Sequence, residues 1–415
     1  MFTMLVMLAL VAAPGTIPPD AARRAFEDVR VVSEDDGGRL WGRELYGPTL
    51  LVDPRTRAVI ANQPDSAGVL QLLDAAPGRV PLYAGTLPDS VVIANTATRW
   101  SGVRWTMVMW DSVAPLSAPR RRLLVHESFH RLQDSLGLPA ATPENPHLDQ
   151  LEGRYWYLLE LRALSTALRD PKQAQPLADA LAFRARRHAI YPGAAERERA
   201  LEANEGVAEY TGFALRGTGP EETRLAAARS LDRTDRGDSF VRSFAYSTGP
   251  AYGLLLDAAD PQWRVNFPRN PDLASALAAA SGVAPAPDPD ARAATYGGAE
   301  LRAQEESRAR EQAARVARFR ELLVSGPVLE VPMEGTDFGF DPYAAVPLGE
   351  AGTAYPTLDI SGEWGSLASA TGGRIDAAAH VLVFAAAERA QVKLNAGWRI
   401  VPAARAGDFR LERAR

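Results

Sequence analysis

Two of the chain's five histidines stand four residues apart in the run SAPRRRLLVHESFHRLQDSLGLP, with a glutamate directly after the first: His126, Glu127 and His130. On a helix, positions i and i+4 share a face, so the two imidazoles can meet one cation. Glu127 lies about 100° round the helix from His126, where it addresses a water at the metal rather than the metal itself. The chain has no cysteine, which excludes disulfides, thiolate metal sites, a cysteine nucleophile and a lipoprotein anchor through an N-terminal cysteine. A site built from nitrogen and oxygen donors favours zinc. Zinc lowers the pKa of bound water from 15.7 to about 7, and a carboxylate within hydrogen-bond reach then takes the proton as the oxygen attacks a carbonyl.

A catalytic zinc takes three protein ligands and keeps one position open. The run after His130 lacks the third histidine that a metzincin would place there, so a carboxylate on a later helix is the alternative. HESFH followed by ANEGVAEYTG resembles the gluzincin superfamily of zinc peptidases. Asn204 and Glu205 match the first step of that superfamily's N-E-x-x-x-D pattern. Gly206, Ala208 and Tyr210 match its related E-G-x-A-x-Y form, and Glu209 stands where the family often has Asp. The resemblance implies that Glu205 is the third zinc ligand and that Glu209, four residues on, steadies His126. Gly206 costs about 1 kcal/mol in a helix relative to Ala, which suits a close approach to the HExxH helix.

Other readings stay open at this stage. Glu196, Glu198 and Glu202 lie near Glu205 and suit an ordinary solvated face. Glu152, in HLDQLEGRYWYLLELRAL, is a second candidate ligand at a shorter spacing from His130, although its helix is apolar nearly all round and reads as packing. Glu160 on that helix is either a buried partner of the site or an exposed acid. Further on, SFVRSFAYSTGPAYGLLLD resembles the segment that follows the ligand helix in several gluzincins, with Tyr246 and Gly249 at the matching spacing. The resemblance implies Tyr246 as a donor to the tetrahedral oxyanion; Tyr252 and Arg242 are the other nearby donors. Gly249-Pro250 reads as a break that turns a helix start toward the metal. His147, His188 and His380 stand alone and read as surface or capping residues, and Arg236-Gly237-Asp238 as an incidental loop.

The elements that must position these residues follow from local signals. Ser117 is an expected N-cap, Pro119 falls in the first turn, Gly137 can close the helix in the left-handed conformation and Pro139 stops it. Val125, Phe129, Leu132 and Leu136 form an apolar stripe beside the histidine face. Upstream, residues 38 to 115 read as strands: a hairpin in YGPTLLVDPRTRAVIANQPD turning at Asp53-Pro54, then VVIANTATRW and VRWTMVMW. The last of these is expected as the edge strand beside the HExxH helix, where it can hold an extended peptide by strand addition. Helical periodicity runs from Ser117 to about Ser325, interrupted by the Pro-rich loop 283–291 and followed by a polar helix from Ala299 to Val324. Past Gly326, VLEVPM, AYPTLDIS and HVLVFAAA read as strands, with Trp364 and Trp398 as core residues or, as the alternative, a ligand platform. The expected architecture is α+β: a signal peptide over 1–13, a β-rich region over 14–116, a helical zincin-like catalytic domain over 117–325 and a C-terminal β domain over 326–415.

Composition narrows the partners. Of the 415 residues 46% are hydrophobic and 23% charged, as in folded soluble proteins, and the net charge of −5 leaves no basic surplus for phosphates. Nucleic acid is not an expected partner. The opening MFTMLVMLALVAAPG, with an apolar run from Met4 to Ala13, reads as a secretory signal. No later segment has the ~20 uninterrupted apolar residues that span a bilayer. The expectation is export to the periplasm or medium without stable membrane insertion, and zinc-dependent hydrolysis of a peptide or protein substrate with Glu127 as general base. The alternative is a non-catalytic exported binding protein on a zincin-like scaffold.

Overall fold

The structure is a computed structural model that describes residues 17–234, 239–341 and 344–414. The expected signal segment, 1–13, and the Arg236-Gly237-Asp238 tripeptide lie outside the described residues. Helix α1, Pro19–Asp36, starts on a proline in its first turn and ends on Gly37 in the left-handed conformation. Its apolar face, Ala22, Ala25, Phe26 and Val29, packs against Leu51, Ile60, Leu82 and Val108 of a six-stranded sheet.

That sheet comprises β1 Thr49–Val52, β2 Ala58–Ala61, β3 Gln71–Asp74, β4 Leu82–Thr86, β5 Thr96–Trp100 and β6 Val103–Met109, in the order β3-β4-β2-β1-β6-β5. The first hairpin turns at Asp53-Pro54 as expected, and the Asp53 carboxylate accepts the Arg55 backbone N–H at 2.9 Å. The expectation for VRWTMVMW needs correcting. Its residues form β6, which pairs in parallel with β1 on one side and antiparallel with β5 on the other, so β5 is the edge strand. Ser101 and Gly102 both take positive φ, 47° and 76°, which gives the two-residue primed turn that folds β6 back along β5.

Helix α2, Ser117–Gln133, carries the HExxH residues. Ser117 is its first helical residue and Leu116 precedes it without a side-chain cap, so the expected N-cap role of Ser117 is not realised. Gly137, at φ 71°, ends the short turn after the helix as expected. Leu124 joins the core of the sheet, while Val125, Phe129 and Leu132 join the core of the helices. With two faces committed to two cores, the remaining face presents His126, Glu127 and His130 to a cleft.

The helical core is built from α3 Leu151–Arg169, α4 Ala174–Ile190, α5 Ala194–Leu201, α6 Val207–Ala214, α7 Pro220–Thr234 and α8 Ala245–Ala259. A single π turn, Glu202–Gly206, joins α5 to α6. Helix α3 buries Tyr155, Trp156, Tyr157, Leu158 and Leu161 on nearly all sides. The chain folds as two compact units, one ending at Arg302 and the other starting at Ala303. The second holds a seven-stranded and a four-stranded sheet. Strands form at Val328–Pro332, Leu358–Gly362 and Val381–Ala385 as the sequence predicts, around Leu329, Val331, Ile360, Trp364 and Phe384. Trp364 is buried there and Trp398 packs partly buried against the same cluster. Among the described residues, no helix is long and apolar enough to cross a membrane.

Candidate metal centre

His126 and His130 on α2 meet Glu205 on the π turn. The two Nε2 atoms lie 3.1 Å apart, and each is 3.4 Å from Glu205 Oε2. A zinc ion about 2.0–2.1 Å from each of three donors in tetrahedral geometry separates those donors by roughly 3.3 Å. The three atoms therefore match the donor set and spacing that such an ion requires, and among the described residues this is the group of His, Asp and Glu side chains able to hold a metal ion. Glu152 is elsewhere: its carboxylate pairs with Arg302 and accepts the Trp156 indole N–H at 3.0 Å.

Each of the three side chains is held from behind. Glu209 Oε2 faces His126 Nδ1 at 2.9 Å, and its other oxygen pairs with Arg122. Gln133 Oε1 faces His130 Nδ1 at 2.9 Å. Tyr246 donates its hydroxyl to Glu205 Oε2 at 2.6 Å, and its ring stacks on His126 with centroids 5.6 Å apart and planes 6° from parallel. Sequence reasoning missed Arg122 and Gln133. Both carried a signal: Arg122 lies four residues before His126 and Gln133 three after His130, each on the face of the histidine it serves or backs.

The backbone that delivers Glu205 depends on close helix contacts. A π turn inserts one extra residue, which turns Glu205 toward α2 while Glu202 faces inward to Arg184. The close approach at Gly206 is to α8, not to the HExxH helix: a Cβ on Gly206 would lie 3.1 Å from Gly249 Cα and 3.2 Å from the Ala245 carbonyl oxygen, and one on Gly249 would lie 2.2 Å from the Gly206 carbonyl oxygen. The glycine that faces α2 is Gly212, where a Cβ would meet the Arg122 carbonyl oxygen at 2.8 Å. Gly249-Pro250 makes no break either, since both lie inside α8. Pro250 only removes the N–H that would have bonded the Tyr246 carbonyl.

Of the acids N-terminal to Glu205, Glu196 is exposed as a solvated face would have it, but the other two are not. Glu198 and Glu202 are buried with Glu160, Arg184 and Arg187 in one ionic network. Tyr252 donates to Glu160 at 2.7 Å inside it, so it does not reach the cleft. His147 is buried against Glu198 at 2.7 Å and His188 meets the same carboxylate at 2.9 Å, which replaces the expected surface roles. Arg242 pairs with Glu144 at the surface, outside the residues that line the cleft.

The cleft, about 640 Å³, is lined by Glu127, His126, His130, Glu205 and Tyr246, with Asn95, Thr96 and Ala97 from the approach to β5 and its first residues. Burial raises the Glu127 carboxyl above its ordinary range, and no protein group hydrogen-bonds to its Oε2. Burial disfavours the His126 cation, but Glu205 and Glu209 outweigh it and push the ring up to about 9. Glu205 is half-buried, which opposes its charge, yet the two histidines hold its carboxyl well below the usual range. Burial and the Glu205 charge raise the Tyr246 phenol, which stays a donor. Comparison with protein-family models, curated proteins and solved structures returns no match.

Proposed function

We propose that this chain is an exported zinc-dependent peptidase that hydrolyses peptide bonds in peptide or protein substrates. The observation that carries the reading is the convergence of His126, His130 and Glu205 on one point, beside a buried Glu127 carboxylate oxygen that no protein group satisfies. Zinc there would supply a Lewis acid that polarises a carbonyl and acidifies water. Glu127 accepts the proton of the attacking water and hands it to the leaving amine. Tyr246 lines the cleft with its hydroxyl on the ligand oxygen, placed to shift to a developing oxyanion. The free side of β5 offers backbone groups to an extended substrate.

The test is hydrolysis of a mixed peptide library by zinc-loaded protein, with products read by mass spectrometry. The wild type should cleave, and Glu127→Gln should keep its zinc but lose about 10²-fold or more in rate. A Glu127→Gln variant as fast as wild type, or a zinc-loaded wild type that cleaves nothing, would overturn the reading.

A further inference from the structure

The face of His130 turned away from the metal point is closed by a ring of amide hydrogen bonds that joins two of the three ligands. Gln133 Nε2 donates to the Pro139 carbonyl and, at 2.9 Å, to Asn204 Oδ1. Gln133 Oε1 faces His130 Nδ1 at 2.9 Å, and Asn204 Nδ2 donates to Glu205 Oε1 at 3.0 Å. Gln133 and Asn204 are both buried, and the bond between them is closed to water.

The order of donors and acceptors in this ring follows from one backbone atom. A carbonyl oxygen can only accept, so the end of Gln133 that meets Pro139 must be its NH₂. Its other end is then the oxygen, which can only accept, and His130 Nδ1 must carry a proton. That leaves Nε2 as the bare nitrogen, the state a metal ligand needs. The second N–H of Gln133 meets Asn204, which must turn its oxygen to Gln133 and its NH₂ to Glu205. Asn204 thereby holds Glu205 Oε1 turned away, and Oε2, which accepts the Tyr246 hydroxyl with one lone pair, is the oxygen that lies 3.4 Å from both imidazole Nε2 atoms and faces the ion.

We infer that Gln133 is a positioning residue for the metal centre: oriented by the Pro139 carbonyl, it fixes the tautomer of His130 directly and, through Asn204, the carboxylate oxygen that Glu205 presents. His126 relies instead on the Glu209 carboxylate and Arg122, so the two imidazoles are set by different means. The inference rests on the proposal that the three residues hold zinc. Gln133 stands three residues after His130, on the turn that ends α2, where the chain bends back to bring Pro139 within its reach.

The experiment compares wild type, Gln133→Met, Gln133→Glu and Asn204→Ala in three readouts: zinc affinity by competition with a chelator, thermal midpoint of the metal-free protein, and ¹⁵N shifts of labelled histidine. Five histidines make the assignment tractable. Gln133→Met should weaken zinc by about 10- to 100-fold and give His130 a mixed tautomer population in the metal-free protein. Gln133→Glu keeps an acceptor for Nδ1 and should restore the Nδ1–H tautomer. Asn204→Ala cuts the ring at its far end, and should weaken zinc while leaving that tautomer in place. A residue that only packs would lower zinc affinity and thermal midpoint together and leave the tautomer alone. Wild-type zinc affinity in Gln133→Met, or an unchanged His130 tautomer in that variant, overturns the inference and leaves the metal site standing. A wild type that takes up no zinc removes both.

Discussion

Replacing Arg187 by Met tests whether the buried ionic network behind the ligand helix is a structural requirement. Arg187 is fully buried and donates to both oxygens of Glu198 at 2.8 and 2.7 Å, with a further contact to Glu160 at 2.6 Å. Arg184 serves Glu202 at 2.9 and 2.6 Å and Glu160 at 3.2 Å. Three carboxylates thus face two guanidiniums. Arg187→Met leaves two carboxylates without their main partner in a region closed to water, and breaking a buried pair this way costs about 3–5 kcal/mol. Glu202→Gln removes the surplus negative charge instead. Burial already raises the Glu202 carboxyl above its ordinary range, and an amide oxygen still accepts from Thr248 and from one Arg184 nitrogen, so this change loses one charge-assisted hydrogen bond to Arg184 and should cost about 1.5 kcal/mol. For a unit of this size 1 kcal/mol moves Tm by roughly 2–4 °C, so Arg187→Met should lower it by roughly 10 °C and Glu202→Gln by a few degrees. Calorimetry with a chelator present separates this from metal binding. Equal losses in the two variants, or an Arg187→Met loss under about 1 kcal/mol, would refute the charge count.

Three further outcomes follow from the geometry. Asp65 accepts backbone N–H groups of Leu70 at 2.8 Å and of Ala67 and Val69 at 3.1 Å, along with the Ser101 hydroxyl; burial opposes its charge, but these bonds win and lower it from 3.8 to about 2. A depressed folded pKa stabilises above pH 4 and that contribution fades toward pH 2, so Asp65→Asn should trail wild type by up to about 2 kcal/mol at pH 7 and by progressively less below pH 4 in urea unfolding; a gap independent of pH would contradict this. Gly249→Ala, normally favourable in a helix by about 0.5–1 kcal/mol, should here lower Tm and weaken zinc because its Cβ would lie 2.2 Å from the Gly206 carbonyl oxygen; a raised Tm would be the opposing result. Tyr246→Phe, assayed at saturating zinc because it also removes a hydrogen bond to Glu205, should lower kcat by about 10²-fold with little change in KM, whereas Tyr252→Phe should act on stability through Glu160; the reverse pattern would reassign the donor.

The sequence carried those features that local periodicity or turn chemistry encodes. The spacing of His126 and His130 on a helix, the i and i+4 relation of Glu205 and Glu209 and the Asp53-Pro54 hairpin depend on neighbours within a few residues, and the structure contains all three. The edge strand was misplaced because the decision lies in two residues, Ser101 and Gly102, whose positive φ folds β6 back onto β5. The π turn adds one residue to an otherwise helical run, too small a change for a period of 3.6 to register, yet it separates the directions of Glu202 and Glu205. Charge alone suggested that Glu198 and Glu202 were solvated. Their burial depends on Arg184 and Arg187 arriving from α4, a tertiary pairing with no local signature. Gln133 escaped notice for a similar reason, since its role is set by the Pro139 carbonyl and by Asn204 seventy-one positions along the chain.

The central claim is that His126, His130 and Glu205 form one zinc site, and zinc titration of the metal-free protein tests it most directly. Wild type and Glu152→Ala should each bind one zinc per chain with similar affinity, since Glu152 is spent on Arg302 and Trp156. His126→Ala and Glu205→Ala should lose tight binding. Zinc bound as tightly by Glu205→Ala as by wild type, or lost in Glu152→Ala alone, would contradict the account.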